Sequence, residues 1–188
     1  MFAVQFLLEY CGTNYERSND MSKWNFDLKK NVLFIRLAET EDILGEAIDG
    51  FQTITAYQNE IVKSGYTWFG TDSLNPGISR KKLPVLINCL RSGRIKIVFV
   101  ISKAGNGNNS VSYSAEISDI ISNAEKTVIN TNIPPIFWGQ AFKIWLRLDN
   151  LQPETILTTS NLIVMSSRNY LNRSIENSRY HFGYLEIV

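Results

Sequence analysis

The segment from Arg94 to Ser122, RIKIVFVISKAGNGNNSVSYSAEISDIIS, constrains the fold of this chain more than any other. An apolar run rich in β-branched residues leads into a Gly/Asn cluster, and a second run follows in which Val111, Tyr113 and Ala115 alternate with polar residues. Alternation with a period of two is typical of a half-buried strand, and Gly and Asn supply the positive φ that tight turns need. The segment therefore predicts an antiparallel hairpin.

Further strands are predicted where short apolar runs are bounded by turn residues. KNVLFIRL at 30–37 is a continuous apolar run, and FKIWLRLDNL at 142–151 places its odd- and even-numbered residues on opposite faces. MFAVQFLLEY at 1–10 is interpreted as a strand or buried element, and the last residues of the chain as a closing strand. NAEKTVINTNIPP at 123–135 is interpreted as a loop.

Two segments carry helix signals. ETEDILGEAIDGFQTITAYQNEIVKSG at 39–65 has acidic residues early and Gly65 at its end, as a helix C-terminus prefers. RKKLPVLINCLRSG at 80–93 has the apolar spacing of a short helix, with Pro84 in the first turn and Gly93 after the last. Many short strands with a few helices predict an α+β domain built on a curved or closed sheet of about six strands.

The whole chain has the size and composition of one domain. It has 188 residues, of which 44% are hydrophobic, enough for one sizeable core. No run approaches 18 uncharged apolar residues, so we expect a soluble, cytoplasmic protein without membrane contact. Cys11 and Cys89 lie in apolar runs, where a thiol behaves as a small hydrophobe, and they indicate neither a disulfide framework nor a zinc site.

Charge is nearly balanced over the chain but unevenly distributed along it. Nineteen basic and eighteen acidic residues give a formal net charge of +1, which excludes the strong positive field of a sequence-blind DNA coat. Acids crowd the first sixty residues, and basic residues cluster in the middle: Arg80, Lys81, Lys82, Arg91, Arg94, Lys96 and Lys103. The cluster predicts either a local nucleic-acid patch or a solvated helix face.

Residues for catalysis are scarce. His181 is the one histidine, and no nucleophile motif such as G-x-S-x-G accompanies it. The sequence contains no H-E-x-x-H, no C-x-x-C and no calcium loop, and GNGNNS at 105–110 lacks the G-K-[ST] ending of a phosphate loop. We therefore expect a protein that is not an enzyme and that binds neither a metal nor a cofactor.

Two tryptophans stand beside glycine in loop-like contexts, Trp68 in YTWFGT and Trp138 in PPIFWGQ. Most aromatic residues pack in cores, which is the structural alternative for both. Loop aromatics held by a rigid sheet are, however, how proteins stack unpaired bases. The pair is therefore a candidate base-binding site.

Four patches in order resemble a YTH domain, the PUA-superfamily module that holds N6-methyladenine in an aromatic cage. They are WFGT before the helix RKKLPVLINCL, the hairpin, WGQAFKIWLRLDNLQP and IENSRYHFGYLEI. The match covers residues 61–188, and residues 1–60 are an N-terminal extension that includes a possible first strand. It departs from the family in about five extra residues after Trp68 and in Tyr180, where the family usually has Asp.

The resemblance implies a PUA/YTH-like, EVE-like barrel that reads a flipped base. Trp68 and Trp138 would form the cage, with Phe137 or Tyr66 as a further wall. Phe69, Thr71 and Asn75 are candidates for contacts to the base edge. The phosphate contacts would come from Arg179, which matches the family's phosphate-binding arginine, and from Arg80, Lys81 and Lys82.

Similar domains stand at the N-terminus of McrB-type subunits of modification-dependent restriction systems. That resemblance implies methylated DNA as the target, with an AAA+ GTPase motor and a nuclease subunit as partners. Two alternatives remain open: a PUA-like RNA-binding module without methyl preference, and a structural or protein-interaction domain whose aromatic residues are all core.

Overall fold

The fold is built around a seven-stranded sheet. The computed structural model describes residues 24–74, 77–177 and 181–188. In hydrogen-bonded order its strands are β4 (Thr67–Thr71), β7 (Ala141–Pro153), β6 (Val111–Val128), β5 (Ile95–Ile101), β1 (Asn31–Leu37), β9 (Phe182–Ile187) and β8 (Leu162–Val164). A separate hairpin consists of β2 (Thr40–Glu41) and β3 (Ala47–Ile48), and the helices are α1 (Gly50–Ser64), α2 (Leu83–Ser92) and α3 (Leu171–Asn177). β1 and β5 are parallel, and the other neighbours are antiparallel.

The parallel pair β1–β5 is buried on both faces. Leu33 of β1 and Phe99 of β5 belong to the main core, together with residues of α1 and α2. Phe34 of β1 and Val98 of β5 point the other way, into a smaller core with α3, β8 and β9. Burial on both faces explains why these two strands are continuous apolar runs and not alternating ones.

The sheet is strongly curved. The ring centroids of Phe69 on β4 and Phe99 on β5 are 5.5 Å apart, although β7 and β6 lie between these strands in the sheet. In a flat sheet three strand spacings would separate them by about 14 Å. The register of β6 against β7 shifts at three places, and such bulges bend a strand and increase its twist. β4 and β8 remain its two edges, so the described sheet is curled but open.

The helix predicted at 39–65 is correct only for its second part. Residues 40–48 form the β2–β3 hairpin instead, because the Asp42 carboxylate accepts the backbone N–H groups of Leu44 and Glu46 and thereby stabilises a turn. The helix begins after Asp49, whose side chain caps it in a capping box with Gln52.

Most other expectations about local structure are confirmed, including the mixed α+β class, the 94–122 hairpin and the strand at 30–37. The loop predicted at 123–135 is wrong for its first part, since β6 continues to Val128 by pairing with the start of β7. The closing strand is present as β9, which lies between β1 and β8. The element predicted at 1–10 lies outside the described residues. None of the described helices is long and apolar enough to span a bilayer.

Glu154, just after β7, provides a test of the fold by pH. Its side chain is only 4% exposed, and Lys96 of β5 lies 2.6 Å from it. Desolvation would raise the pKa of Glu154, but hydrogen bonds from Lys96, the backbone of Ile156 and Leu157, and Ser114 outweigh it and lower the pKa to about 2.

Because the folded pKa lies below the ordinary value of 4.5, this carboxylate stabilises the fold above about pH 4.5 and the contribution is lost as the pH falls towards 2. Glu154→Gln should therefore be less stable than the wild type at pH 7, and the difference should shrink on acidification. Urea unfolding midpoints between pH 7 and pH 2.5 measure this, with the exposed Glu125→Gln as the matched control. A difference independent of pH would contradict the assignment.

Candidate binding pocket

A pocket of about 270 Å³ opens where the β4 edge of the curled sheet approaches the end of β1. β4 and the turn after it contribute residues 69–73, and β1 with its following loop contributes residues 35–40. α1 contributes Thr53 and Tyr57. The pocket is thus a direct consequence of curvature, because it lies between segments that a flat sheet would keep apart.

Aromatic rings form the floor of the pocket. Tyr57 of α1 stacks on Phe137, with ring centroids 5.3 Å apart and an interplanar angle of 19°, and its ring lies 4.9 Å from that of Phe69. All three side chains are buried. Burial raises the pKa of the Tyr57 hydroxyl well above its usual range, and a hydrogen bond from the Gly70 backbone opposes this only partly, so Tyr57 is a neutral ring at any physiological pH.

Phe142 forms a side wall, and Gly70 makes room for it. A Cβ at Gly70 would lie 2.2 Å from a ring carbon of Phe142, so the ring can pack this closely against the strand only because residue 70 is a glycine. Phe142 also contacts the buried Trp145, with ring centroids 5.2 Å apart and ring planes nearly perpendicular. Phe142 is half-buried, in contrast to the three floor residues.

Hydrogen-bonding groups surround this apolar floor. The Thr71 and Ser73 hydroxyls are 2.8 Å apart, and the Ser73 N–H donates to Thr71 Oγ1. Asp72 accepts the Lys143 N–H at 2.9 Å and forms an ion pair with Lys126. Glu39 lies exposed at the rim. The pocket therefore combines aromatic surface with several acceptors close together.

The β2–β3 side of the rim is acidic. Four carboxylates lie on this short stretch, and no ion pair joins them to any residue in the described ranges: Glu39, Glu41, Asp42 and Glu46. The hairpin is fixed to the pocket wall, because Gln140 donates to the Glu41 carbonyl and Ile43 donates to the Ile136 carbonyl at 2.8 Å. Within the same ranges no cluster of His, Cys, Asp and Glu could hold a metal ion.

The structure brings together part of the predicted site. Phe137, predicted as a cage wall, and Phe69 and Thr71, predicted at the base edge, all line the pocket. Trp68 and Trp138 are not among its lining residues, and no ring contact joins them.

The remaining predicted aromatics lie elsewhere. Trp138 is 53% exposed, and its indole N–H donates to the Ile133 carbonyl at 2.9 Å. The prediction that Trp68 lies in a loop is wrong, because residues 67–71 form β4 by pairing with β7; Trp68 is half-buried there and lies opposite Arg147. The ring of Tyr66 carries the Arg147 guanidinium at 3.8 Å. The cage formed by Trp68 and Trp138 therefore stays a prediction, and the aromatic pocket that the structure does contain is built from other residues.

The predicted phosphate contacts are dispersed. Arg80 and Lys81 are exposed just before α2, whereas the Lys82 ammonium lies 4.0 Å from the Tyr184 ring and 5.3 Å from the Trp24 ring. Partial burial lowers the pKa of Lys82. Asn75 and Arg179 lie outside the described residues.

Sequence reasoning missed Tyr57, Phe142 and Gly70. Tyr57 has the spacing of an ordinary helix core residue, and Phe142 that of an ordinary strand residue. Only the curvature of the sheet brings them to one pocket. The glycine after WF in YTWFGT was a usable signal, because a glycine inside a strand often marks a close approach.

Comparisons with known proteins give no match: no family model, no curated protein and no solved structure is significantly similar to this chain.

Gly70→Ala tests the packing of the side wall. The added methyl would overlap the Phe142 ring, and overpacking of this kind costs about 1–3 kcal/mol. We expect a lower urea midpoint together with a changed tryptophan emission, because a displaced Phe142 uncovers Trp145. Gly93→Ala is the matched control, since its Cβ would meet only the flexible Leu28 side chain at 3.1 Å. Equal effects of the two substitutions would refute the close approach at Gly70.

Proposed function

We propose that this chain is a non-enzymatic nucleic-acid-binding module of PUA/YTH-like fold, and that its pocket takes one base flipped out of a strand. The proposed target is N6-methyladenine in DNA. The observation that carries the proposal is the combination of an aromatic floor, a half-buried aromatic wall and clustered acceptors in a pocket of about 270 Å³.

The size of the pocket favours a single planar group. Pockets for drug-sized ligands measure about 300–1,000 Å³, so this one suits a smaller molecule. Phe142 offers a face on which a base can stack, and Tyr57 and Phe137 present an apolar floor. A methyl group on an exocyclic nitrogen gains dispersion against such surfaces and loses little hydration.

The polar edge favours a base that donates hydrogen bonds. Carboxylates only accept, and Glu39 and Asp72 both line the pocket. N6-methyladenine keeps one N–H on its exocyclic nitrogen, whereas the corresponding edge of thymine or guanine carries a carbonyl oxygen. A methyl-sized contact contributes about 1–3 kcal/mol of discrimination, so methyl preference would add to a preference for bases with an exocyclic amino group over thymine and guanine.

The wider context is part of the same proposal. A reader of this kind would serve as the targeting domain of a modification-dependent restriction system, alongside an AAA+ GTPase motor and a nuclease subunit. An RNA-binding role without methyl preference would use the same pocket, because single-stranded RNA presents unstacked bases without flipping.

Phe142→Ala tests the placement of the base. Removing the wall should weaken binding of a methylated oligonucleotide by about 1–3 kcal/mol, which is about 5- to 150-fold, and should reduce the preference for methylated over unmethylated strands. Trp138→Ala is the matched control: Trp138 is an exposed aromatic beside the pocket that does not line it. Fluorescence anisotropy with DNA and RNA, single-stranded and duplex, measures both.

The results distinguish the pocket with Phe142 from the predicted cage of Trp68 and Trp138. A large loss with Trp138→Ala and none with Phe142→Ala would move the base to the predicted tryptophan cage. Equal affinity of the wild type for methylated and unmethylated strands would remove the methyl preference and leave the RNA-binding alternative. No binding to any oligonucleotide would refute the proposal as a whole.

A protein-interaction role is the second candidate, and the surface of the hairpin favours it. Ile43 is 53% exposed and Leu44 79%, and both lie among the β2–β3 carboxylates, which form no ion pair with another described residue. Exposed apolar side chains ringed by acids suit a basic partner surface. The exposed Arg80 and Lys81 of a second copy are such a surface.

This role predicts self-association that weakens with salt. Sedimentation velocity should show it in the wild type and not in Leu44→Ser. Val62→Ser is the matched control, because Val62 is 88% exposed on α1 away from the acidic hairpin. A monomer at every concentration would exclude self-association as the function of the hairpin.

A further inference from the structure

We propose that Arg147, which stacks on Tyr66 and lies opposite Trp68 on the outer face of the sheet, binds a phosphate group of the nucleic-acid strand whose base enters the pocket. The inference rests on the proposed function for the identity of the strand. It rests on separate observations for the anion site itself.

The guanidinium of Arg147 is fixed by an aromatic ring. Its central carbon lies 3.8 Å from the ring centroid of Tyr66, a stacking distance. Arg147 lies directly opposite Trp68 in the β4–β7 register, so the two side chains leave the same face of the sheet. A planar fork held in this way loses little further freedom when it binds an oxyanion.

Within the described residues, no ion pair involves the Arg147 guanidinium. The Nε of Arg147 is buried and has no hydrogen-bond acceptor. Asp119 lies opposite on β6, but its carboxylate accepts the N–H of Ile120 at 2.8 Å and no ion pair joins it to Arg147. A partly buried cation without a counter-charge is unfavourable, so the site is suited to an anion from outside. Phosphate matches the guanidinium fork with two parallel hydrogen bonds.

The position of Arg147 is compatible with a nucleic-acid strand that runs past the pocket. Trp68, the partner of Arg147, is two residues before Gly70, which lines the pocket, and this spacing is about 7 Å along β4. This offset is short on the scale of a nucleotide backbone, so Arg147 would reach a phosphate next to or near the flipped nucleotide. The acidic β2–β3 hairpin repels phosphates on the other side of the pocket, which leaves the Arg147 side as the favourable path.

Arg147→Gln is the central test, with oligonucleotide binding measured across a salt series. We expect about tenfold weaker binding at low salt and a plot of log K against log salt that is shallower by about one phosphate contact. Arg147→Lys should restore only part of the lost affinity, because an ammonium cannot donate the two parallel hydrogen bonds that a guanidinium donates to a phosphate. Asp119→Asn should strengthen binding by removing a nearby negative charge.

Two controls separate this site from the pocket. Arg91→Gln removes an exposed cation on α2 and should leave the slope unchanged. Binding of the free nucleoside N6-methyladenosine, which has no phosphate, should be the same for Arg147→Gln and the wild type. The ratio of affinities for methylated and unmethylated strands should also be unchanged.

The possible failures are distinguishable. An unchanged salt slope in Arg147→Gln with methyl preference intact would overturn the phosphate site and leave the proposed function standing. A shallower slope in Arg147→Gln without any methyl preference in the wild type would support the phosphate site and refute methyl-base reading. If Asp119→Asn and Arg147→Gln both lowered the melting temperature and neither changed the salt slope, the two residues would form an internal ion pair and the inference would be wrong.

Discussion

The contact between Phe69 and Phe99 is the constraint on which the rest of the structure depends. It brings the β4 edge over β5, and only a curled sheet allows this. Curling encloses the main core, so the apolar residues of β4 and β7 are buried without a second sheet. A curled edge that stops short of β1 leaves a gap, and the pocket occupies it.

The helix α1 completes that gap because its start is fixed by close packing. A Cβ at Gly50 would lie 2.7 Å from Ile101 at the end of β5, so the first turn of α1 lies directly on the parallel pair. Asp49 caps the helix at this point. From this start, Thr53 and Tyr57 follow at intervals of three and four residues and face the pocket on one side of the helix.

Local patterns predicted the strands and helices well where the signal was local. The hairpin was predictable from the alternation in residues 111–117 and from the Gly/Asn cluster before it. The end of α1 was predictable from Gly65, because the helix ends in a left-handed backbone conformation that favours glycine. Curvature has no such signal, since it arises from bulges between β6 and β7 that depend on both strands at once. Trp145 shows the consequence: alternation predicts opposite faces for it and Leu146, yet both are fully buried, because Phe142 and the end of β6 cover the outer face there.

The charge around the pocket could not be predicted from the sequence either, because net charge says nothing about where the charges lie in the fold. A formal net charge of +1 suggested weak attraction to nucleic acid. The fold separates the charges, however. Carboxylates that form no ion pair within the described ranges lie on the hairpin at one side of the pocket, and the Arg147 guanidinium, which forms none there either, lies on β7 opposite Trp68 of β4. Because screened charges act over about 10 Å, a nucleic-acid strand at the pocket would interact mainly with the charges close to it, whatever the net charge of the chain. If the chain binds nucleic acid as proposed, the orientation of the strand would depend on this local separation of charge across the pocket, and a chain with no net charge at all could have the same separation.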